Sequence, residues 1–164
     1  MSNVSGIIKS IQDIMRKDVG VDGDAQRISQ LVWMFFLKIL DDREAELELL
    51  EDEYRSPLPE ELRWRCWAAD PEGMTGDTLA DFVNGRLFPH LKNEIDTHGP
   101  AGRRGRVIRD VFEDAYNYMK SGTLMRQVIN KICAIDFNRQ KDRHTFGNIY
   151  EQIRHPSFIS FHFQ

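Results

Sequence analysis

The sequence predicts an all-α protein, an irregular helical bundle around a buried central helix at about residues 25–50. Three observations carry this. Apolar residues recur at three- and four-residue spacings almost throughout, the mark of helices that each bury one face. The segment Leu31-Val-Trp-Met-Phe-Phe-Leu37 is apolar on every side, as expected of a helix surrounded by others. No stretch alternates apolar and polar residues for long enough to build a sheet.

The elements follow in order. Val4, Ile7, Ile8, Ile11, Ile14 and Met15 form the apolar stripe of a first helix. The run Asp18-Val-Gly-Val-Asp-Gly-Asp24 breaks it, and Asp22 or Asp24 can cap a second helix that starts near Ala25. Past Leu40 this helix carries Asp41, Asp42, Glu44, Glu46, Glu48, Glu51, Asp52 and Glu53, which read as a solvated face. Pro57 and Pro59 mark a loop, and Pro59 can open a short helix through Trp67. Leu79, Phe82 and Val83 begin a helix that Pro89 should break or restart, with Leu91 and Ile95 beyond it. Val107, Ile108, Val111, Phe112, Ala115 and Met119 make a fifth unit. Leu124, Val128, Ile129, Ile132 and Ile135 make a sixth, introduced by Ser121 and Gly122. Phe146, Ile149, Tyr150 and Ile153 make the last, behind a cap at Asp142. The segment from His155 to Gln164 differs from all of this. Pro156 ends the helix, and Phe158, Phe161 and Phe163 form an atypical aromatic tail that either packs back on the bundle or is foreign sequence.

The chain has 164 residues, 41% hydrophobic and 29% charged, a globular balance able to bury a core without staples. Cys66 and Cys133 are far apart and form no Cys-x-x-Cys pair. They read as two buried small residues in a reducing cytoplasm rather than as a zinc site. The first apolar stretch is interrupted by Lys9, Gln12 and Asp13, so it does not read as a secretory leader. The most apolar run, Leu31 to Leu40, is shorter than the about 20 residues a bilayer requires. A cytoplasmic protein with no membrane contact is expected. Residues 1–100 carry 11 lysines and arginines against 20 acids, whereas residues 101–164 carry 11 against 6. A polyanion, if there is one, should therefore meet the C-terminal half. A dipolar domain matching a partner protein explains the same asymmetry.

Enzyme chemistry finds no motif. There is no Gly-x-Ser-x-Gly elbow, no His-Glu-x-x-His and no phosphate-binding loop, and no two glycines are spaced as Gly-x-Gly. The run from Asp18 to Asp24 loosely follows a calcium loop. It has Gly20 at the third position and Ser29 at the twelfth, so two ligands are lost and a plain turn is the better reading. Asp142 and His144 look like acid and base side by side, but residues so close on a helix diverge, and a cap with a surface histidine accounts for them. One feature invites a functional reading: Arg103, Arg104, Arg106 and Arg109, in and after the loop that begins at Gly99. Positive charge at a helix N-terminus opposes the helix dipole by about 0.3–1 kcal/mol per site, so stability alone would place acids there. Guanidiniums beside glycines suit contact with a DNA phosphate or another anion. A solvated loop, or one paired with the acidic 41–53 face, fits the same residues.

Several segments together carry a family resemblance. Trp33-Met-Phe-Phe-Leu-Lys-Ile-Leu-Asp-Asp42 looks like the buried helix of type I restriction–modification modification subunits. Val111-Phe-Glu-Asp-Ala-Tyr-Asn-Tyr-Met-Lys-Ser-Gly122, Leu124-Met-Arg-Gln-Val-Ile-Asn-Lys-Ile132 and Ile135-Asp-Phe137 are similar to the end of their N-terminal domain. Asp142-Arg-His-Thr-Phe-Gly-Asn-Ile-Tyr-Glu151 resembles the helix leading into their methyltransferase domain. The matches are collinear and reach about residue 153.

The resemblance implies a helical N-terminal domain over residues 1–153, with residues 154–164 as the atypical tail. It implies a complex with a specificity subunit and a second modification subunit that grips duplex DNA. There, a methyl group passes from S-adenosylmethionine to adenine N6, with the base taken out of the stack. It also implies a part in sensing methylation of the opposite strand. The family's Gly-Glu-Phe-Tyr-Thr-Pro entry segment and Asn-Pro-Pro-Phe/Tyr motif have no counterpart in this sequence. No catalytic or cofactor-binding residue is therefore carried over, no cofactor or metal is expected in this chain, and a frameshift or premature stop is expected to explain the tail. A self-contained helical adaptor that binds only proteins stays open beside the DNA-contacting domain. A stand-alone enzyme lacks the residues for a pocket.

Overall fold

The computed structural model describes residues 4–137. Helix α1 spans Val4–Arg16 and α2 spans Gly23–Leu50. A 3₁₀ turn at Glu60–Leu62 leads to the single-turn α3, Trp64–Trp67. Helix α4, Gly76–Phe82, continues through π-helical stretches at Val83–Leu87 and His90–Glu94. Helices α5, Gly102–Glu113, and α6, Gly122–Cys133, complete the described bundle. The all-α class holds: among the described residues there is no strand. None of the described helices is long and apolar enough to cross a membrane.

The central helix is where the apolar run placed it. From Trp33 to Leu40 every side chain on α2 is buried, Lys38 included. Trp33 meets Phe88 edge-on at 4.9 Å between ring centroids, and Phe112 lies 5.8 Å from Phe36 and 5.4 Å from Phe88. Such T-shaped contacts each add about 0.5–1.5 kcal/mol beyond area burial and tie α2 to α5 and to the helix that carries Phe88. Helix α6 packs against α1 and α4. Its N-cap is Ser121, whose hydroxyl accepts the Leu124 N–H at 3.1 Å.

Several expectations are corrected. Pro89 does not break its helix. Phe88 and Pro89 both keep right-handed helical backbone angles, and the turn before them widens so that the Phe88 N–H reaches the Val83 carbonyl. A widened turn moves the proline ring off the carbonyl with which it would clash in a regular α-helix. The fifth unit stops at Glu113, so Ala115 and Met119 are not helical. Lys92 fixes that end by donating its ammonium to the carbonyls of Phe112, Glu113 and Ala115. Asp22 occupies the N-cap of α2 without a side-chain cap bond; its backbone N–H donates to the Gln26 side chain instead. Cys66 is exposed and Cys133 half-buried, so the cysteines are not both core residues.

Asp18, the first acid of the loose calcium-like loop, is buried and serves as a staple. Its carboxylate accepts the backbone N–H groups of Gly20, Lys120 and Ser121 at 2.8–3.0 Å, joining the α1–α2 turn to the entry of α6. Among the described residues no group of metal-ligating side chains comes together. The cap at Asp142, the Asp142–His144 pair, the last helical unit and the aromatic tail lie outside the described residues.

Candidate nucleic-acid and subunit interface

The arginine segment folds differently from a flexible phosphate-gripping loop. Asp96 closes a turn by accepting the N–H groups of His98 and Gly99, each at 2.9 Å, and these bonds hold its carboxyl below the usual carboxylate range. The chain then enters α5 at Gly102. Gly102 and Gly105 are buried rather than loop residues. A Cβ at Gly102 would stand 2.6 Å from the Thr97 carbonyl, and one at Gly105 1.9 Å from that of Asp96. The glycines let α5 lie against the 96–97 backbone, and this sets the direction in which the arginines leave the helix.

At about 100° per residue, Arg103, Arg106 and Arg109 fall within an arc of about 120°. All three are exposed, whereas Arg104 is half-buried on another side. Arg106 donates to the Thr97 carbonyl at 2.7 Å, which steadies its stem against the loop beneath. Arg109 lies 3.8 Å from Asp110, a loose surface pair worth little. No acid occupies the first turn of α5, so Arg103 stands against the dipole there, while Arg106 and Arg109 lie beyond that turn. Arg104 turns toward the chain after α2, its guanidinium 4.8 Å from the Tyr54 ring centroid. A groove of about 610 Å³ separates the two segments, with Glu51, Asp52 and Glu53 on one wall and Pro100, Ala101 and Arg104 on the other.

The acidic run is the largest correction to the sequence reading. It is not a uniformly solvated face. Glu44 is buried, with the Tyr54 hydroxyl donating to it at 2.7 Å and Arg63 3.3 Å away. Burial lifts its carboxyl above the ordinary value of 4.5 in spite of these partners. Arg65 bridges Asp41 at 2.9 Å and Glu48 at 2.7 Å, and Arg63 also reaches Glu48. Lys38 pairs with Asp42, whose carboxylate accepts the Phe137 N–H at 3.0 Å; burial again raises that carboxyl. Arg63 and Arg65, adjacent to tryptophans in a short helix, are the residues that sequence reasoning missed. The i,i+3 spacing of Trp64 and Trp67 around Arg65 was the available signal that this segment packs on the bundle.

Beyond Glu48 the character changes. Leu49 and Leu50 are 87% and 76% exposed, at the end of a helix whose last turn carries no base. Among the described residues no ion pair reaches Glu51, Asp52 or Glu53.

Comparison with known proteins agrees with this architecture. The family described as the HsdM N-terminal domain matches residues 4–132. The chain is 58% identical over 151 residues to the type I restriction enzyme EcoEI methylase subunit of Escherichia coli, covering 92% of this chain and 31% of that protein. Its fold superposes with a TM-score of 0.76, at 36% identity, on a crystal structure of the modification subunit assigned to a type I restriction enzyme of Vibrio vulnificus YJ016; the match covers 95% of this chain and 35% of that one. A second solved chain, from a study of complex assembly and conformational transition of the type I restriction–modification system, superposes with a TM-score of 0.75 at 31% identity, over 91% of this chain and 29% of its own length. The chain thus spans about a third of the length of these relatives. Matched in sequence along α1 to α6 and in the path of its helices, the chain belongs to the HsdM N-terminal domain family of type I modification subunits.

Proposed function

We propose that this chain is the DNA- and subunit-contacting domain of an adenine-N6 DNA methyltransferase, acting in the cytoplasm with a specificity subunit and a second modification subunit. The helical domain is taken to span residues 1–153. The observation that carries DNA contact is the exposed ridge of Arg103, Arg106 and Arg109 on one side of α5. The spacing along the helix from the first to the third is about 9 Å, so the ridge can follow a phosphate backbone. Arg104 contributes through the loop it holds rather than by facing outward. S-adenosylmethionine does not fit the described residues. They offer neither a strand edge nor the glycine turn that cradles an adenosyl cofactor, so no step of methyl transfer is assigned to them.

Fluorescence anisotropy with a labelled duplex across a salt series tests the proposal. Affinity should fall linearly on logarithmic axes. Replacing Arg103, Arg106 and Arg109 together by alanine should lower the slope by about 2–3, near 0.9 for each phosphate that is no longer neutralised. An unchanged slope, or no binding at low salt, would leave the protein-only adaptor as the reading.

A further inference from the structure

The carboxylates of residues 41–53 divide into two groups. Asp41, Asp42, Glu44, Glu46 and Glu48 are each paired with a lysine or arginine of the bundle. Glu51, Asp52 and Glu53 are exposed and, among the described residues, no ion pair reaches them. They follow the C-terminus of a 28-residue helix, where the dipole favours bases, so their charge works against the fold rather than for it. Immediately before them Leu49 and Leu50 stand in solvent. Ala45, also exposed, lies one turn below Leu49 on the same face.

From this we infer that the end of α2 is a docking surface for a basic amphipathic helix of another chain in the complex. The inference rests on the subunit-contacting reading above and names the surface and the chemistry of its partner. The partner's apolar stripe covers Ala45, Leu49 and Leu50. Its lysines or arginines meet Glu51, Asp52 and Glu53, on the wall of the groove that faces Arg104. Charge complementarity sets the choice of occupant. An acid-rimmed apolar helix end repels polyanionic DNA, and an acidic partner would place like charges together. The basic ridge and the acidic end thus divide the labour: phosphates meet α5, protein meets α2.

The test uses the full chain and three synthetic 18-residue helical peptides. One has leucine on one face and lysine on the other, one leucine and glutamate, one serine and lysine. Amide NMR shifts should show the leucine–lysine peptide binding at residues 45–55, and the other two binding at least tenfold more weakly. L49S/L50S should weaken the leucine–lysine peptide tenfold or more. The variant E51Q/D52N/E53Q should weaken it and flatten its salt dependence. These five positions are exposed, so the variants should fold, and near-unchanged helical circular dichroism checks that they do. Shifts centred elsewhere, equal binding of the serine–lysine peptide, or insensitivity to both variants would overturn the inference. So would self-association abolished by L49S/L50S, which would give the surface to a second copy. Duplex binding should survive L49S/L50S, so failure of the DNA reading and failure of the docking surface are separately visible.

Discussion

The guanidinium of Arg104 lies over the ring of Tyr54, 4.8 Å from its centroid, while the Tyr54 hydroxyl donates to the buried Glu44. One tyrosine therefore links the first turn of α5 to the inner face of α2. The link explains why only three of the four arginines form the exposed ridge.

A double-mutant cycle on Arg104→Ala and Tyr54→Ala, followed by urea denaturation, should give a coupling energy of about 0.5–1 kcal/mol. Strict additivity would mean that the stack contributes nothing in solution.

Glu44 makes stability depend on pH with a definite sign. Its folded pKa is raised above the ordinary 4.5, chiefly by burial. Between those two values the folded chain holds a proton that the unfolded chain has released. Stability from this group is therefore highest below 4.5 and falls as pH rises through the folded pKa. Asp42 is shifted in the same sense, whereas Glu48 and Asp96 are shifted oppositely. The diagnostic quantity is consequently a difference: wild type minus Glu44→Gln should decline with rising pH above 4.5 and then level off. A difference that rises over this range contradicts the assignment.

Arg126 is buried and, among the described residues, pairs with no carboxylate. Its guanidinium donates to the carbonyls of Trp67, Ala68, Asp70 and Met74, at 2.7–3.2 Å, and so fixes the loop between α3 and α4. Arg126→Ala leaves several of these carbonyls without a donor and should cost about 3 kcal/mol or more, measured by chemical denaturation. Arg126→Lys should recover only part of the loss, because an ammonium cannot span the same fan of acceptors.

Three glycines should respond to alanine in opposite ways. A Cβ on Gly105 meets the Asp96 carbonyl, and one on Gly122 would stand 1.7 Å from that of Gly76. Each substitution should cost about 2 kcal/mol or more, since backbone must shift. Gly85 has nothing within 4 Å of the same position and lies inside a helical stretch. Gly85→Ala should gain about 0.5–1 kcal/mol. Thermal melts of the three variants check the order, and a destabilised Gly85→Ala would mean that the widened turn needs glycine.

The sequence by itself determined the helical class, the central helix and the family, because each depends on local pattern. Apolar spacing of three and four residues fixes a helix and its buried face without reference to distant chain, and Leu31 to Leu40 needed no partner to be recognised as core. The positions of Arg103 to Arg109 at the start of a helix were legible for the same reason. Tertiary structure alone decided what each charge does. Glu44 and Glu46 look alike along the chain, yet one is buried under Tyr54 and Arg63 while the other pairs with Arg43 near the surface. Arg104 and Arg106 differ in the same way. For Asp41, Glu44 and Glu48 the neutralising arginine comes from a segment outside α2, and Coulomb energy depends on distance in space rather than on separation in sequence. The widened turns around Pro89 were hidden too, because hydrogen-bond register within a helix leaves the apolar spacing almost unchanged.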